Sequence, residues 1–205
     1  LNDNSELSAP PWTSIGELEH ISLLLEEDNA YDNPEYYTWL QMLVDPGSSL
    51  GGARPKASVM NTDGSLWIAK FPSRGDRGNM GGWEIVSYEI ALRAGLNMSE
   101  SKAQKFSSDN YTFLTKRFDR TRTEERIHFA SAMTLLEYRD GQGHPEGASY
   151  LDLVEFITTH GANVERDLEE LWRRIVFSIC VSNTDDHLRN HGFLLTGKGW
   201  VLSPA

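Results

Sequence analysis

Toward the end of the 205-residue chain, Asp185 is followed five positions later by Asn190, in the run Asn183-Thr184-Asp185-Asp186-His187-Leu188-Arg189-Asn190. A carboxylate at such a position can accept or orient the proton of an attacking hydroxyl, while a neutral amide oxygen helps hold a metal on phosphates. Phosphoryl transfer divides its labour in this way. Alone the pair is a weak signal, because Asp and Asn also populate the turns that cap helices. Upstream, Lys70 ends the β-like run Leu66-Trp67-Ile68-Ala69-Lys70. A strand there fixes the direction of a long-stemmed point charge that suits α- and β-phosphates. Earlier still, Ser48-Ser49-Leu50-Gly51-Gly52-Ala53-Arg54-Pro55-Lys56 combines small residues with two cations. Small residues let backbone N–H groups approach phosphate oxygens. The segment is neither G-x-x-x-x-G-K-[ST] nor G-x-G-x-x-G, so the two common nucleotide fingerprints do not apply.

These residues need elements to carry them. Ile15, Leu18, Ile21 and Leu25 have helical spacing, and Tyr36–Val44 reads as a second helix. Two short β runs, Ala57–Asn61 and Ser65–Phe71, flank the turn dipeptide Asp63-Gly64. Trp83–Ala94 reads as a helix closed by Gly95, and Tyr111–Phe118 as a strand. Beyond Phe129 the pattern turns helical. Its clearest helix is Leu168–Ser182, whose Leu168, Leu171, Trp172, Ile175, Val176 and Ile179 form one apolar stripe. Two glycine-broken β runs, His191–Thr196 and Trp200–Leu202, follow. A strand-rich half before a helix-rich half points to two lobes meeting at a cleft.

Composition narrows the alternatives. The chain is 39% hydrophobic and 24% charged, enough for one medium domain or two small lobes. No apolar run approaches the roughly 20 residues of a membrane span. Cys180 is the sole cysteine, so there is no internal disulfide and a reducing, cytoplasmic location is expected. Its place beside the apolar stripe predicts a small core residue. The net charge of −11 is unevenly spread: residues 1–45 hold ten acids and no Lys or Arg, and the rest is nearly neutral. The acidity therefore does not argue against an anionic ligand bound elsewhere. It reads as a solvated face, and a duplex-DNA surface is not expected.

The order of these pieces carries more than any one of them. A glycine loop, a strand lysine, a helix acid, a crossing strand, an amphipathic helix, Asp-x4-Asn and a hairpin follow one another as in a protein-kinase catalytic core. Within that order Glu84 is the candidate partner of Lys70, with Glu89 next, since periodicity does not choose between them. The strand ending at Lys116, Arg117 and Phe118 would cross between lobes, its backbone near Lys116 and Phe118 reading an adenine edge.

The sequence resembles the HipA-like Ser/Thr kinases of bacterial type II toxin–antitoxin systems. The resemblance rests on Ser49–Ala57, on Lys116-Arg117-Phe118-Asp119-Arg120, on Arg126–Met133 and on Asn183–Gly192, and covers roughly residues 45–205. It implies an α+β, two-lobed protein-kinase-like fold with a strand-rich first lobe and an all-helical second lobe bearing a catalytic-loop hairpin. The division expected is an acidic helical segment at 1–45, an ATP-binding lobe at 46–120 and a catalytic lobe at 121–205. It further implies that Asp185 is the catalytic Asp, Asn190 the Mg2+ ligand and Lys70 the ATP lysine. Leu50, Gly51, Gly52, Ala53, Arg54, Pro55 and Lys56 would form the phosphate loop, and His187, Leu188, Arg189 and Asn190 would close over the nucleotide. Ser49 matches the position at which such kinases phosphorylate themselves. The implied partners are a protein substrate, such as an aminoacyl-tRNA synthetase or another translation component, and a DNA-binding antitoxin that would make any DNA contact indirect. The family's further metal-binding Asp follows the Leu-Ser-Pro-Ala strand end, where this chain stops. With Leu rather than Met first and little of the family's small N-terminal subdomain, the chain is expected to be trimmed at both ends and, lacking that Asp, to transfer phosphate weakly or not at all.

Other chemistries have less support. His187 and His191 beside two aspartates invite zinc, but there is no H-E-x-x-H and Cys180 has no companion. No serine sits in a G-x-S-x-G elbow. The competing classes are a small-molecule or lipid kinase on the same fold and a nucleotide-binding module without catalysis.

Overall fold

The computed structural model describes residues 11–43, 54–121, 123, 125–139 and 147–205. The fold is mixed α/β with two antiparallel sheets, and the chain divides into two compact units. One comprises residues 1–89 with 100–117, the other 90–99 with 118–205.

The first unit holds helices α1 (Ile15–Leu25) and α2 (Tyr36–Leu43) and a four-stranded sheet. Its strands are β1 (Lys56–Met60), β2 (Leu66–Lys70), β3 (Ser101–Gln104) and β4 (Thr112–Lys116), in the order β1-β2-β4-β3. The β1–β2 hairpin turns where the sequence indicates. Gly64 takes φ +83°, and the Asp63 carboxylate accepts the Ser65 backbone N–H at 2.9 Å. Polar β3 shows no apolar alternation and is missed by pattern reading, yet it pairs with β4 along its whole length. Ala57, Val59, Trp67, Ala69, Phe71 and Leu114 bury one sheet face against Ile15 and Leu18 of α1.

The acidic segment is not simply a solvated face. Glu19 on α1 is fully buried, and its carboxylate accepts Ser107 Oγ at 3.0 Å, the Ser108 N–H at 2.9 Å and the Thr112 hydroxyl. A buried carboxylate persists only when its lone pairs are met in this way. The end of α1 is tied down as well. Glu26 accepts the Arg74 N–H at 2.6 Å, and Glu27 pairs with the Arg74 guanidinium at 2.5 Å.

Helix α3 (Met80–Arg93) begins a turn earlier than the sequence suggests. Gly81-Gly82 looks like a breaker, but Asn79 caps the helix by accepting the Gly82 N–H at 3.0 Å, and also accepts the Tyr111 N–H at 3.1 Å. Gly81 is needed for the close approach of α3 to the start of β4. A Cβ there would lie 2.0 Å from the Tyr111 carbonyl oxygen. The division between units falls within this helix, after Glu89.

The second unit contains β5 (Phe129–Ser131), α4 (Ala132–Leu135), α5 (Tyr150–His160), α6 (Val164–Cys180), β6 (Gly192–Thr196) and β7 (Gly199–Leu202). It is not all-helical. The expected hairpin β6–β7 gains β5 as a third antiparallel strand, so the helical pattern begins two residues later than Phe129 implied. Ser149 and Asp152 close a capping box on α5. Ala132, Leu153, Phe156, Ile157, Leu171, Leu188, Phe193 and Leu202 form the core.

Helix α6 departs from its apolar stripe. Leu168, Leu171 and Ile175 face the core, but Trp172 and Ile179 are 64% and 72% exposed. Interior positions go instead to Asp167, Glu170 and Arg174. These charges hold backbone: Asp167 accepts the Leu202 N–H, Glu170 accepts the Asn97 N–H and pairs with Arg174, and Arg174 donates to the Ser203 carbonyl at 2.7 Å. Cys180, expected in the core, is exposed, because it closes α6 next to that outer edge. No helix among the described residues is long and apolar enough to cross a membrane.

Candidate functional site

In the first unit the antiparallel register sets Lys56 of β1 directly opposite Lys70 of β2. Like charges facing each other across a ladder are destabilising unless something negative lies between them. Part of that role falls to Glu84 on α3, whose Oε2 lies 2.6 Å from Lys70 Nζ. Glu89, the other candidate, is exposed on the same helix. Burial first, and then the charge of Lys70, push the Lys56 ammonium below the ordinary lysine range. Arg54 adds to this and Glu84 opposes it. Arg54 donates through Nε to the Phe71 carbonyl at 2.9 Å and pairs with Asp76 at 2.5 Å. Among the described residues three cations, Arg54, Lys56 and Lys70, lie near the carboxylates of Asp76 and Glu84, a grouping of charge suited to a polyphosphate. Ser49, Leu50, Gly51, Gly52 and Ala53 lie outside the described residues; Pro55, at the loop's descending end, accepts the Phe71 N–H at 3.0 Å.

The crossing segment is more committed than expected. The Lys116 N–H donates to the Glu100 carbonyl at 2.8 Å and the Arg117 N–H to the Leu66 carbonyl at 2.9 Å. Those two donors are therefore engaged within the first unit. Phe118 already belongs to the second unit, where its ring lies 5.6 Å from that of Phe129.

The second unit carries the Asp185 loop. Helix α6 ends at Cys180, and Ser182 takes φ +55°, a left-handed conformation that costs a non-glycine residue roughly 1 kcal/mol or more. The Asn183 N–H returns to the Ser178 carbonyl at 2.9 Å, and Asn183 Oδ1 accepts the Asp185 N–H at 3.1 Å. Asn190 Nδ2 donates to the Asp185 carbonyl at 2.8 Å, so the two residues five apart are braced together. With its nitrogen so used, the Asn190 side chain has its amide oxygen left as the acceptor end.

Neighbouring aspartates have opposite fates. Asp185 is exposed, whereas the Asp186 side chain is only 10% exposed. Asp186 Oδ2 accepts the Tyr150 hydroxyl at 2.7 Å and Ser178 Oγ at 3.3 Å, and Oδ1 lies 3.0 Å from His191 Nε2. Burial raises the Asp186 pKa, but these hydrogen bonds together outweigh it and hold the carboxyl below its usual range. Burial and the bond to Asp186 push the Tyr150 phenol up to about 12. Asp186 is thus buried with both oxygens engaged, and Asp185 is the exposed member of the pair. Leu188, expected at the nucleotide, instead turns into the core, and its carbonyl accepts the Met133 N–H at 3.2 Å. His187 is half-buried, while Arg189 is exposed.

Sequence reading missed Tyr150, Ser178, Asp186 and His191 as a group. The only local signal is His187 and His191, four apart beside Asp185 and Asp186, a set that invites zinc. No cluster of three His, Cys, Asp or Glu residues suited to a metal exists among the described residues.

The fold is similar to that of solved structures. A Helicobacter pylori proinflammatory kinase, CtkA, superposes with a TM-score of 0.59 at 21% identity, over 78% of this chain and 55% of its own. HipA in a Shewanella oneidensis MR-1 complex with HipB and operator DNA gives 0.62 at 19% identity, over 79% and 44%. Among curated proteins, a Haemophilus influenzae protein named "Putative kinase" is 24% identical over 194 residues, 82% of this chain and 55% of that protein. Residues 48–205 match the family model described as HipA-like C-terminal domain, and the chain belongs to that family. It spans about half the length of the relatives it matches.

Proposed function

We propose that this chain supplies the nucleotide-binding and catalytic parts of an ATP-dependent serine/threonine protein kinase of HipA type. The observation that carries the proposal is the pairing of Lys56 against Lys70, with Arg54 beside them and Glu84 as counter-charge. Such an arrangement gains most from a bound polyphosphate. In this reading residues 46–120 are the ATP lobe, 121–205 the catalytic lobe of a two-lobed kinase, and 1–45 an acidic helical segment before them. Lys70, aimed by β2 and steadied by Glu84, holds the α- and β-phosphates. Arg54, Lys56 and the glycine loop cover the tail of the nucleotide, and the backbone around Lys116–Phe118 reads adenine. Asp185 accepts the proton of the attacking Ser or Thr hydroxyl, and Asn190 keeps the loop closed on Asp185.

The donor set fits Mg2+, a hard cation that takes oxygen ligands and keeps several from phosphate and water. Asn190 Oδ1 would hold it, and the ion would neutralise charge on the phosphates. Ser49 is the proposed self-phosphorylation site. A DNA-binding antitoxin is the proposed partner, as HipB accompanies HipA in the Shewanella complex. The substrate proposed is a protein of the translation apparatus, such as an aminoacyl-tRNA synthetase, in the cytoplasm.

Radiolabelled ATP offered to the full-length protein tests the reading. Asp185→Asn should retain nucleotide binding and lose phosphoryl transfer by about 100-fold or more. Transfer within threefold of wild type would remove Asp185 from the chemistry.

A further inference from the structure

Asp186 is hydrogen-bonded on both oxygens, and its three donors come from separate elements. Tyr150 opens α5, Ser178 lies in the last turn of α6, and His191 immediately precedes β6. The peptide between Asp185 and Asp186 is therefore tied, through one side chain, to the framework on three sides. Backbone bonds fix the far end of the same loop: the Asn190 N–H donates to the His187 carbonyl at 2.8 Å, and the Ala132 N–H to the His191 carbonyl at 2.8 Å. Immediately before the anchored Asp186, the Asp185 carboxylate is exposed. A buried hub adjoining an exposed acid is the arrangement that holds a reactive side chain still while leaving it open.

We propose that Asp186 is a positioning residue that sets the place of Asp185, with Tyr150, Ser178 and His191 as its fixed points. The proposal rests on the reading of Asp185 as the proton acceptor. His191 contributes a donor: Nε2 faces Asp186, while Nδ1 is buried without a hydrogen-bond partner among the described residues. Any side chain presenting an N–H at the Nε2 position should serve, and one without it should not. Glutamine reaches that position and leucine has nothing to donate.

The test compares Asp186→Asn, Tyr150→Phe, His191→Gln and His191→Leu with wild type in the full-length protein. Nucleotide-binding stoichiometry, KM for ATP, turnover per bound nucleotide and amide hydrogen exchange across residues 183–190 are measured. Asp186→Asn should lower turnover roughly 10- to 100-fold, as small misplacements of a catalytic group do. Stoichiometry should stay unchanged, KM should remain within about threefold, and exchange in the loop should quicken. His191→Gln should recover most of the turnover that His191→Leu loses, and Tyr150→Phe should fall between them. Turnover within threefold of wild type in Asp186→Asn, or equal turnover in the two His191 variants, would overturn the proposal. So would a loss of binding stoichiometry matching the loss of turnover, because the residue would then be supporting the fold alone. If Asp185→Asn keeps its turnover while Asp186→Asn loses it and exchanges faster, the base assignment falls and the anchoring role stands.

Discussion

Arg174 offers the sharpest energetic test in the second unit. Its side chain is 5% exposed and that of its partner Glu170 is 11% exposed, with Nε and Oε1 2.8 Å apart. Arg174→Met keeps the stem and deletes the charge. Glu170 is then a buried carboxylate with the Asn97 N–H as its remaining donor, and the Ser203 carbonyl loses its 2.7 Å bond. Breaking one half of a buried pair costs about 3–5 kcal/mol, because the remaining charge is uncompensated. Adding Glu170→Gln removes that charge while an amide oxygen still accepts from Asn97. What then remains is chiefly the unmet Ser203 carbonyl, worth about 1–3 kcal/mol. The double variant should therefore be more stable than Arg174→Met alone, although it carries one more substitution. Urea unfolding followed by tryptophan fluorescence gives both differences, Trp172 and Trp200 reporting on this unit. A single variant that loses less than about 1 kcal/mol, or a double variant no more stable than the single, would refute the account of a buried, mutually dependent pair.

Two further outcomes follow from geometry already described. Gly81→Ala would put a Cβ 2.0 Å from the Tyr111 carbonyl oxygen, and backbone cannot swing aside. Helix α3 must shift, carrying Glu84 from Lys70, at a cost of about 1–3 kcal/mol. A wild-type melting temperature together with unchanged ATP affinity would count against this. Asp186 has a folded pKa below its unfolded value near 3.8, so its contribution to stability is full above that pH and fades as pH falls through the folded pKa. The stability gap between wild type and Asp186→Asn, read from urea midpoints between pH 7 and pH 3, should narrow on acidification. A gap that holds steady or widens would contradict the sign.

Much of the first unit was written in local chemistry. The Asp63-Gly64 turn, the alternation of Ala57 and Val59 against Trp67 and Ala69, and the helical spacing of Ile15 and Leu18 each act over a few residues, where pattern and structure agree. The misses share a cause, which is that they depend on distant partners. Gly81 and Gly82 look like breakers until the neighbouring strand is known. The polar β3 becomes a strand because β4 offers it a ladder. Apolar periodicity on α6 placed Trp172 and Ile179 inside, whereas the interior sites went to charges that serve the backbone of residues 97, 202 and 203. In the candidate site, residue types and spacing led to Lys70, Glu84, Asp185 and Asn190. Nothing local announced that Asp186 spends both oxygens on Tyr150, Ser178 and His191, since only folding assembles those donors.

The burial of Glu19 has a practical corollary. Kinship with the family begins at residue 48, but the hydroxyls of Ser107 and Thr112 and the apolar face of the first sheet are completed from residues 15–19. Descent and cohesion draw their borders in different places here. Whoever trims this protein to its recognisable portion removes the keel of the first sheet along with the unfamiliar preamble.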